Sequence, residues 1–162
     1  MRVPVAVAVV AVANIALLAG CEDIRRFQGV WAGPVSADPA HRQGFPPTAD
    51  GSGSERLPFL RATVGTVSRR GIEMTLDIPE HGNDLRFEPI RHAADDVLGD
   101  LRIEGEPLRT FLGYVRPKVG SGESFLTIVS LFAEDRIDVR IIRGPDEIYG
   151  VFSLRPLRET IP

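Results

Sequence analysis

The chain of 162 residues contains a single cysteine, Cys21, a single lysine, Lys118, and a single tryptophan, Trp31. One cysteine excludes an internal disulfide and any site built from several thiolates. An excess of positive charge is missing as well: 19 basic residues face 22 acidic ones, with no basic block anywhere. Nucleic acid is a poor partner for such a surface, because affinity for it comes largely from neutralising phosphates. Arginine supplies nearly all of the positive charge. Anion-binding sites favour arginine, but a GC-rich genome produces the same bias without selection for binding.

Motifs that carry chemistry are equally sparse. His41, His81 and His92 stand at no metal-ligand spacing from one another, and no His-Glu-x-x-His helix occurs. All three read as solvated histidines. No Gly-x-Ser-x-Gly elbow appears, and Gly51-Ser52-Gly53-Ser54 lacks the strand, helix and lysine of a phosphate loop. The acidic pairs Asp95-Asp96 and Glu134-Asp135 are explained by turn chemistry. As a calcium site each falls short, since calcium takes about six or more oxygens from a shaped loop. The sequence thus predicts no catalytic residue, no metal and no cofactor. Arg136, Arg140 and Arg143 alternate with Asp135, Asp138 and Asp146 near the C-terminus. That arrangement predicts cross-strand ion pairs on a solvated face rather than a stripe for an anionic ligand.

What the chain does have begins at its first residues. Met1-Arg2 precedes an almost unbroken apolar run from Val3 to Ala19. The run is 17 residues long, under the roughly 20 that a spanning helix needs. A charged start, an apolar middle and a small-residue end form the pattern of a secretory signal. An uncleaved anchor helix is the alternative on composition alone. The run closes on Leu18-Ala19-Gly20-Cys21, which resembles the lipobox of bacterial lipoproteins at all four positions. The resemblance implies cleavage before Cys21, a diacylglyceryl thioether on its sulfur and acylation of the new amino group. The implied partner is a lipid bilayer, held through acylated Cys21, because two or more acyl chains anchor stably where one does not. The implied location is the cell envelope, facing the periplasm or the exterior. Acidic residues after the cysteine resemble an inner-membrane retention signal whose stronger form is aspartate. Glu22-Asp23 leaves both inner and outer membrane open.

Removing residues 1–20 leaves 142, enough for one domain. Residues 21–28 read as a short membrane-proximal linker and 29–158 as a single domain with a long loop at 36–58. In that loop Pro39, Pro46, Pro47 and the Gly/Ser segment predict neither sustained helix nor sheet, with Ala37–Phe45 ordered over the domain and 50–54 as a flexible tip. Around it the pattern is that of strands. Ile72-Glu73-Met74-Thr75-Leu76-Asp77-Ile78 alternates without fault, putting Ile72, Met74, Leu76 and Ile78 on the core face. Gly71, just before it, is placed to take positive φ in a turn. Strands are likewise expected at 60–67, 85–87, 124–132, 136–143 and 148–154, with a hairpin joining 100–104 to 108–116 and one helical turn at 91–98. Phe125 to Phe132 is apolar on both faces apart from Thr127 and Ser130, which predicts cover on both sides. About eight strands without a long helix predict an all-β fold, either a single antiparallel barrel or a sandwich.

Gly29-Val30-Trp31, with Phe27 just before it, resembles the Gly-x-Trp opening of lipocalins and fatty-acid-binding proteins. The resemblance implies an up-and-down barrel whose base is closed by Trp31, with Arg155 or Arg158 packed across the ring. Such a cation–π pair contributes about 1–2 kcal/mol. It also implies a mouth facing away from Trp31, with Ala37–Phe45 as a lid. Two functions follow as expectations. One is a non-enzymatic envelope lipoprotein whose β domain binds an envelope protein or serves a structural role. The other is a lipocalin-like carrier of a small apolar ligand, its cavity lined by Met74, Leu76, Phe87, Phe111 and Val139.

Overall fold

Strict alternation of apolar and polar residues turns most of this chain into a curved wall. The computed structural model describes residues 24–49, 51, 54–90, 105–117, 123–142 and 148–157. The strands in chain order begin with β1 (Gly29–Pro34), β2 (Thr48–Ala49), β3 (Glu55–Arg56), β4 (Phe59–Ser68) and β5 (Gly71–Ile78). They continue with β6 (Gly82–Pro89), β7 (Arg109–Arg116), β8 (Phe125–Phe132), β9 (Arg136–Ile142) and β10 (Ile148–Pro156). All but β2 and β3 form one closed antiparallel barrel of eight strands, each beside its neighbour in sequence. Closure sets Trp31 opposite Pro156 and Ala32 opposite Arg155, while the other edge of β1 runs from Gly29↔Val64 to Pro34↔Phe59. Of the two architectures expected, the barrel is the one adopted.

The inner faces meet in one continuous core that includes Ile72, Met74, Leu76 and Ile78, as the alternation predicts. Phe111, Val115, Val129, Leu131, Ile137, Val139 and Leu154 complete it from the remaining strands. A smaller cluster of Leu112, Ile128 and Ile142 lies on the outside of β7 to β9. Both faces of β8 are therefore buried, which accounts for a strand with hardly any polar residue. The tight turn between β8 and β9, Ala133-Glu134-Asp135, ends with Asp135 at φ 50°, the left-handed residue that a three-residue hairpin loop uses. Glu80 (φ 65°) and Asp84 (φ 55°) play the comparable part around the β5–β6 turn. Gly71 is not left-handed, contrary to expectation; its turn needs no positive φ there.

The ends differ from the expected boundaries. Residues 24–28 are not a free linker: Ile24–Phe27 makes a 3-10 turn under the barrel, and Phe27 is fully buried in the core. The loop at 36–58 holds only short pieces of regular structure, as expected. Asp38 caps a 3-10 turn at Pro39–His41 by accepting from the Ala40 N–H at 2.9 Å, with proline at the first position where its missing N–H does no harm. β2 and β3 pair as a short ribbon beyond it. The expected strand at 100–104 and helical turn at 91–98 lie outside the described residues. β7 pairs instead with β6 and β8.

Candidate functional site

Chain direction defines two ends. At the base, where β1 starts, Phe27 stacks on Trp31 with ring centroids 5.5 Å apart, and Trp31 Nε1–H donates to the Phe27 carbonyl at 2.9 Å. The guanidinium of Arg26 lies 5.2 Å from the Phe27 centroid, on the same aromatic stack. Arg155 does not pack on Trp31. Its register partner is Ala32, so its side chain leaves the opposite face of the sheet and donates to the Glu134 and Asp135 carbonyls. Strand alternation makes this unavoidable, since neighbours in a strand point to opposite sides. Arg158 lies outside the described residues.

The five residues expected to line a cavity, Met74, Leu76, Phe87, Phe111 and Val139, all point inward and are buried in the same core. They are packed against other side chains. The ring of Phe87 occupies the space that a side chain at Gly113 would need, with its Cζ 2.7 Å from where a Cβ would stand. Phe45 does the same at Gly150.

Phe45 belongs to the loop across the mouth. It meets Phe152 edge-on at 4.8 Å and His81 at 5.6 Å, and His81 meets Phe125 at 5.4 Å. Four rings from four separate segments thus close the upper end, and His81 is part of the packing rather than a solvated side chain. Phe45→Ala is expected to lower stability by about 3 kcal/mol, the usual loss for a buried aromatic, as a shift of the urea midpoint. The same variant should bind an apolar fluorescent dye that the parent excludes.

The outer face of β7 to β10 holds a polar row. Thr110, Ser130, Asp138 and Ser153 are register partners across four strands. The Thr110 and Ser130 hydroxyls are 3.2 Å apart, and Ser153 donates to Asp138 Oδ1 at 2.8 Å. Arg136 Nε sits 3.3 Å from the same carboxylate oxygen, close enough for an ion pair though its N–H is not aligned as a hydrogen bond. Its guanidinium lies 3.9 Å from the Phe132 centroid. This face is not solvated as the charge alternation predicts: Asp138 is 6% exposed and Arg140 7%. Gly105 lies against Phe132 and Arg136 on this side. Periodicity reports only alternation, not whether the polar side is covered.

Burial pushes the Asp138 carboxyl above its ordinary 3.8, against the pull of the Ser153 hydroxyl and the charges of Arg136, Arg140 and Arg155. The folded state therefore holds this proton more tightly than the unfolded chain does. The resulting stabilisation is fully present below pH 3.8 and fades as pH rises through the raised value. Asp138→Asn is expected to remove that slope, seen as a flatter plot of denaturation midpoint against pH over the same window.

On the opposite wall the sheet comes apart. β5 and β6 pair at Thr75↔Arg86, Leu76↔Leu85 and, past an irregularity, Ile78↔Gly82, but not beyond Arg86 toward the base. The reason lies in β6. Ile90 donates its N–H to the Leu112 carbonyl in β7, so every second amide back from it faces β7 and those of Phe87 and Pro89 face β5. Proline has no N–H to give, and the ladder stops. A half-open groove of about 420 Å³ lies along this seam, lined by Glu73, Thr75, Arg86, Glu88 and Pro117, with Met74 at its floor. Beside it Tyr114 is 37% exposed, Arg116 lies over its ring at 5.4 Å, and Glu88 pairs with Arg116 at 3.5 Å. Little in the sequence points to this groove; Pro89 at the end of an alternating run is the one residue that marks it.

Elsewhere His41 stands 3.8 Å from Asp38, and His92 lies outside the described residues. Among the described residues no group of three or more histidine, cysteine, aspartate or glutamate side chains is arranged to hold a metal ion. Cys21 precedes the described residues. The site and fold together define an eight-stranded antiparallel barrel with packed ends and a grooved wall. No known protein family, curated protein or solved structure matches the chain.

Proposed function

We propose that the chain is a non-enzymatic bacterial envelope lipoprotein, tethered to a membrane through acylated Cys21, whose barrel wall binds a protein partner. The observation that carries this reading is the packing inside the barrel. Phe87 packs over Gly113 and Phe45 over Gly150, so the described inner side chains pack on one another there, and the outer wall offers a surface for recognition. That wall offers an exposed tyrosine and a stacked arginine beside a groove. Tyrosine and arginine are the residue types that dominate binding energy at interfaces.

A photo-crosslinking residue at position 114 in living cells tests the proposal. It should yield one defined protein adduct, which the same residue at Thr63, exposed on β4, does not give. Loss of any difference between the two positions removes the partner-binding role. The second reading, a carrier of a small apolar ligand, draws on the mostly apolar inner faces around Met74, Leu76, Phe87, Phe111 and Val139. Native mass spectrometry separates the two: a stoichiometric lipid-sized mass on the purified chain favours the carrier.

A further inference from the structure

We propose that the groove between β5 and β6 is a docking slot for an extended segment of a protein partner, with a carboxylate of that segment held by Arg86 and Arg116. The inference rests on the partner-binding reading and adds the place and the chemistry.

Two independent features point there. The first is charge. Arg86 and Arg116 are direct register partners on adjacent strands, both exposed on the outer face. Like charges set opposite each other in a sheet are destabilising unless something is placed between them. Arg116 is balanced by Glu88 at 3.5 Å, whereas the Arg86 side chain makes no hydrogen bond or ion pair among the described residues. A guanidinium offers a planar fork of N–H donors that matches a carboxylate, so two of them side by side at a groove make a carboxylate seat.

The second feature is backbone. Beyond Thr75 and Arg86 the facing edges of β5 and β6 are not joined by a ladder, so a strand laid along the seam meets an unused edge. Outward residues of an added strand recur about every 6.5–7 Å, the same repeat as Arg86 and Glu88 on β6. Glu73, already accepting from the Thr66 hydroxyl at 3.2 Å, and Glu88, the next outward residue of β6 after Arg86, line the slot as well. The complementary segment is therefore extended and apolar on alternate positions. It carries an acid over Arg86 and a base two residues away.

The test uses the purified full chain and the synthetic peptide acetyl-Thr-Val-Glu-Val-Lys-Val-Thr-amide, with a second peptide in which glutamine replaces the glutamate. Amide chemical shifts are followed by NMR. The glutamate peptide should bind about tenfold more tightly than the glutamine one, roughly the 1.4 kcal/mol expected of a charged hydrogen-bonded contact, with the largest shifts at Thr75, Arg86 and Glu88. Arg86→Gln should abolish the difference between the peptides, and Arg61→Gln, exposed on β4, should leave it intact. Equal binding of both peptides, or shifts centred elsewhere on the barrel, would overturn the proposal. The two readings fail separately. A crosslinked adduct from position 114 that persists in Arg86→Gln keeps the partner and removes the carboxylate seat. Peptide discrimination without any adduct in cells keeps the seat and removes the envelope partner.

Discussion

Replacing Gly33 with alanine is expected to prevent the barrel from closing. A Cβ at that position falls inside contact distance of the Ser153 carbonyl oxygen and stands 2.8 Å from its carbonyl carbon and 3.0 Å from Leu154 Cα. All three are backbone atoms of β10, so no side-chain rotation relieves the clash and the first and last strands must move apart. Overpacking a well-filled core destabilises by about 1–3 kcal/mol, and backbone displacement puts this case at or beyond the upper end. Against a total stability of about 5–15 kcal/mol, that is about a hundredfold or larger drop in the folded-to-unfolded ratio. The measurement is a denaturant titration followed by the near-ultraviolet signal of Trp31, which lies beside the affected seam. Gly71→Ala is the control. The same methyl group there meets nothing within 4 Å and needs no left-handed backbone, so its effect should stay within about 0.5 kcal/mol.

Cys21→Ser is expected to abolish incorporation of labelled fatty acid into the chain. The sulfur is the only thiol in the sequence, so no second acceptor can substitute for it. With an ordinary Ala-x-Ala cleavage site placed before the serine, the protein should move from the membrane pellet to the soluble fraction. Each buried methylene contributes about 0.8 kcal/mol, so losing two or more acyl chains leaves nothing comparable to hold the domain at a bilayer. Folding of the barrel should be unaffected, because its strands begin at Gly29. Fatty-acid label retained in the serine variant would remove the lipobox reading.

Much of the wall was legible because alternation is a local property. Ile72 to Ile78 and the last two strands announced themselves through period-two patterning, Phe125 to Phe132 through a short run apolar on both faces, and short connections such as Ala133-Glu134-Asp135 fixed their antiparallel order. The rest depended on facts that a single stretch does not contain. Trp31 was recognisable as a structural residue, but its partner was not. Which face Arg155 leaves depends on the register with Ala32, set by closure of the whole ring. Phe27 and Phe45 sit in segments with no periodicity, and only the shape of the barrel ends gives them a place. Asp138 and Arg140 looked solvated because their row is polar; cover from elsewhere in the chain overrides that pattern. The groove was hardest to see. It arises from an amide that Pro89 lacks, and the direction in which that amide would have pointed follows from the Ile90 hydrogen bond to Leu112.

The pairing of β1 with β10 carries a consequence for how the molecule comes into being. Seven of the eight walls can form as a growing meander, each hairpin zipping onto the last, but the ring has two raw edges until the final strand arrives. As the chain is made from its N-terminus, the edge of β1 that β10 will fill stays open while everything downstream emerges. Unfilled strand edges recruit other chains, and pairings between distant parts of a sequence form slowly. A holding chaperone during synthesis is what such a topology calls for, and truncation before Ile148 would leave both edges permanently exposed.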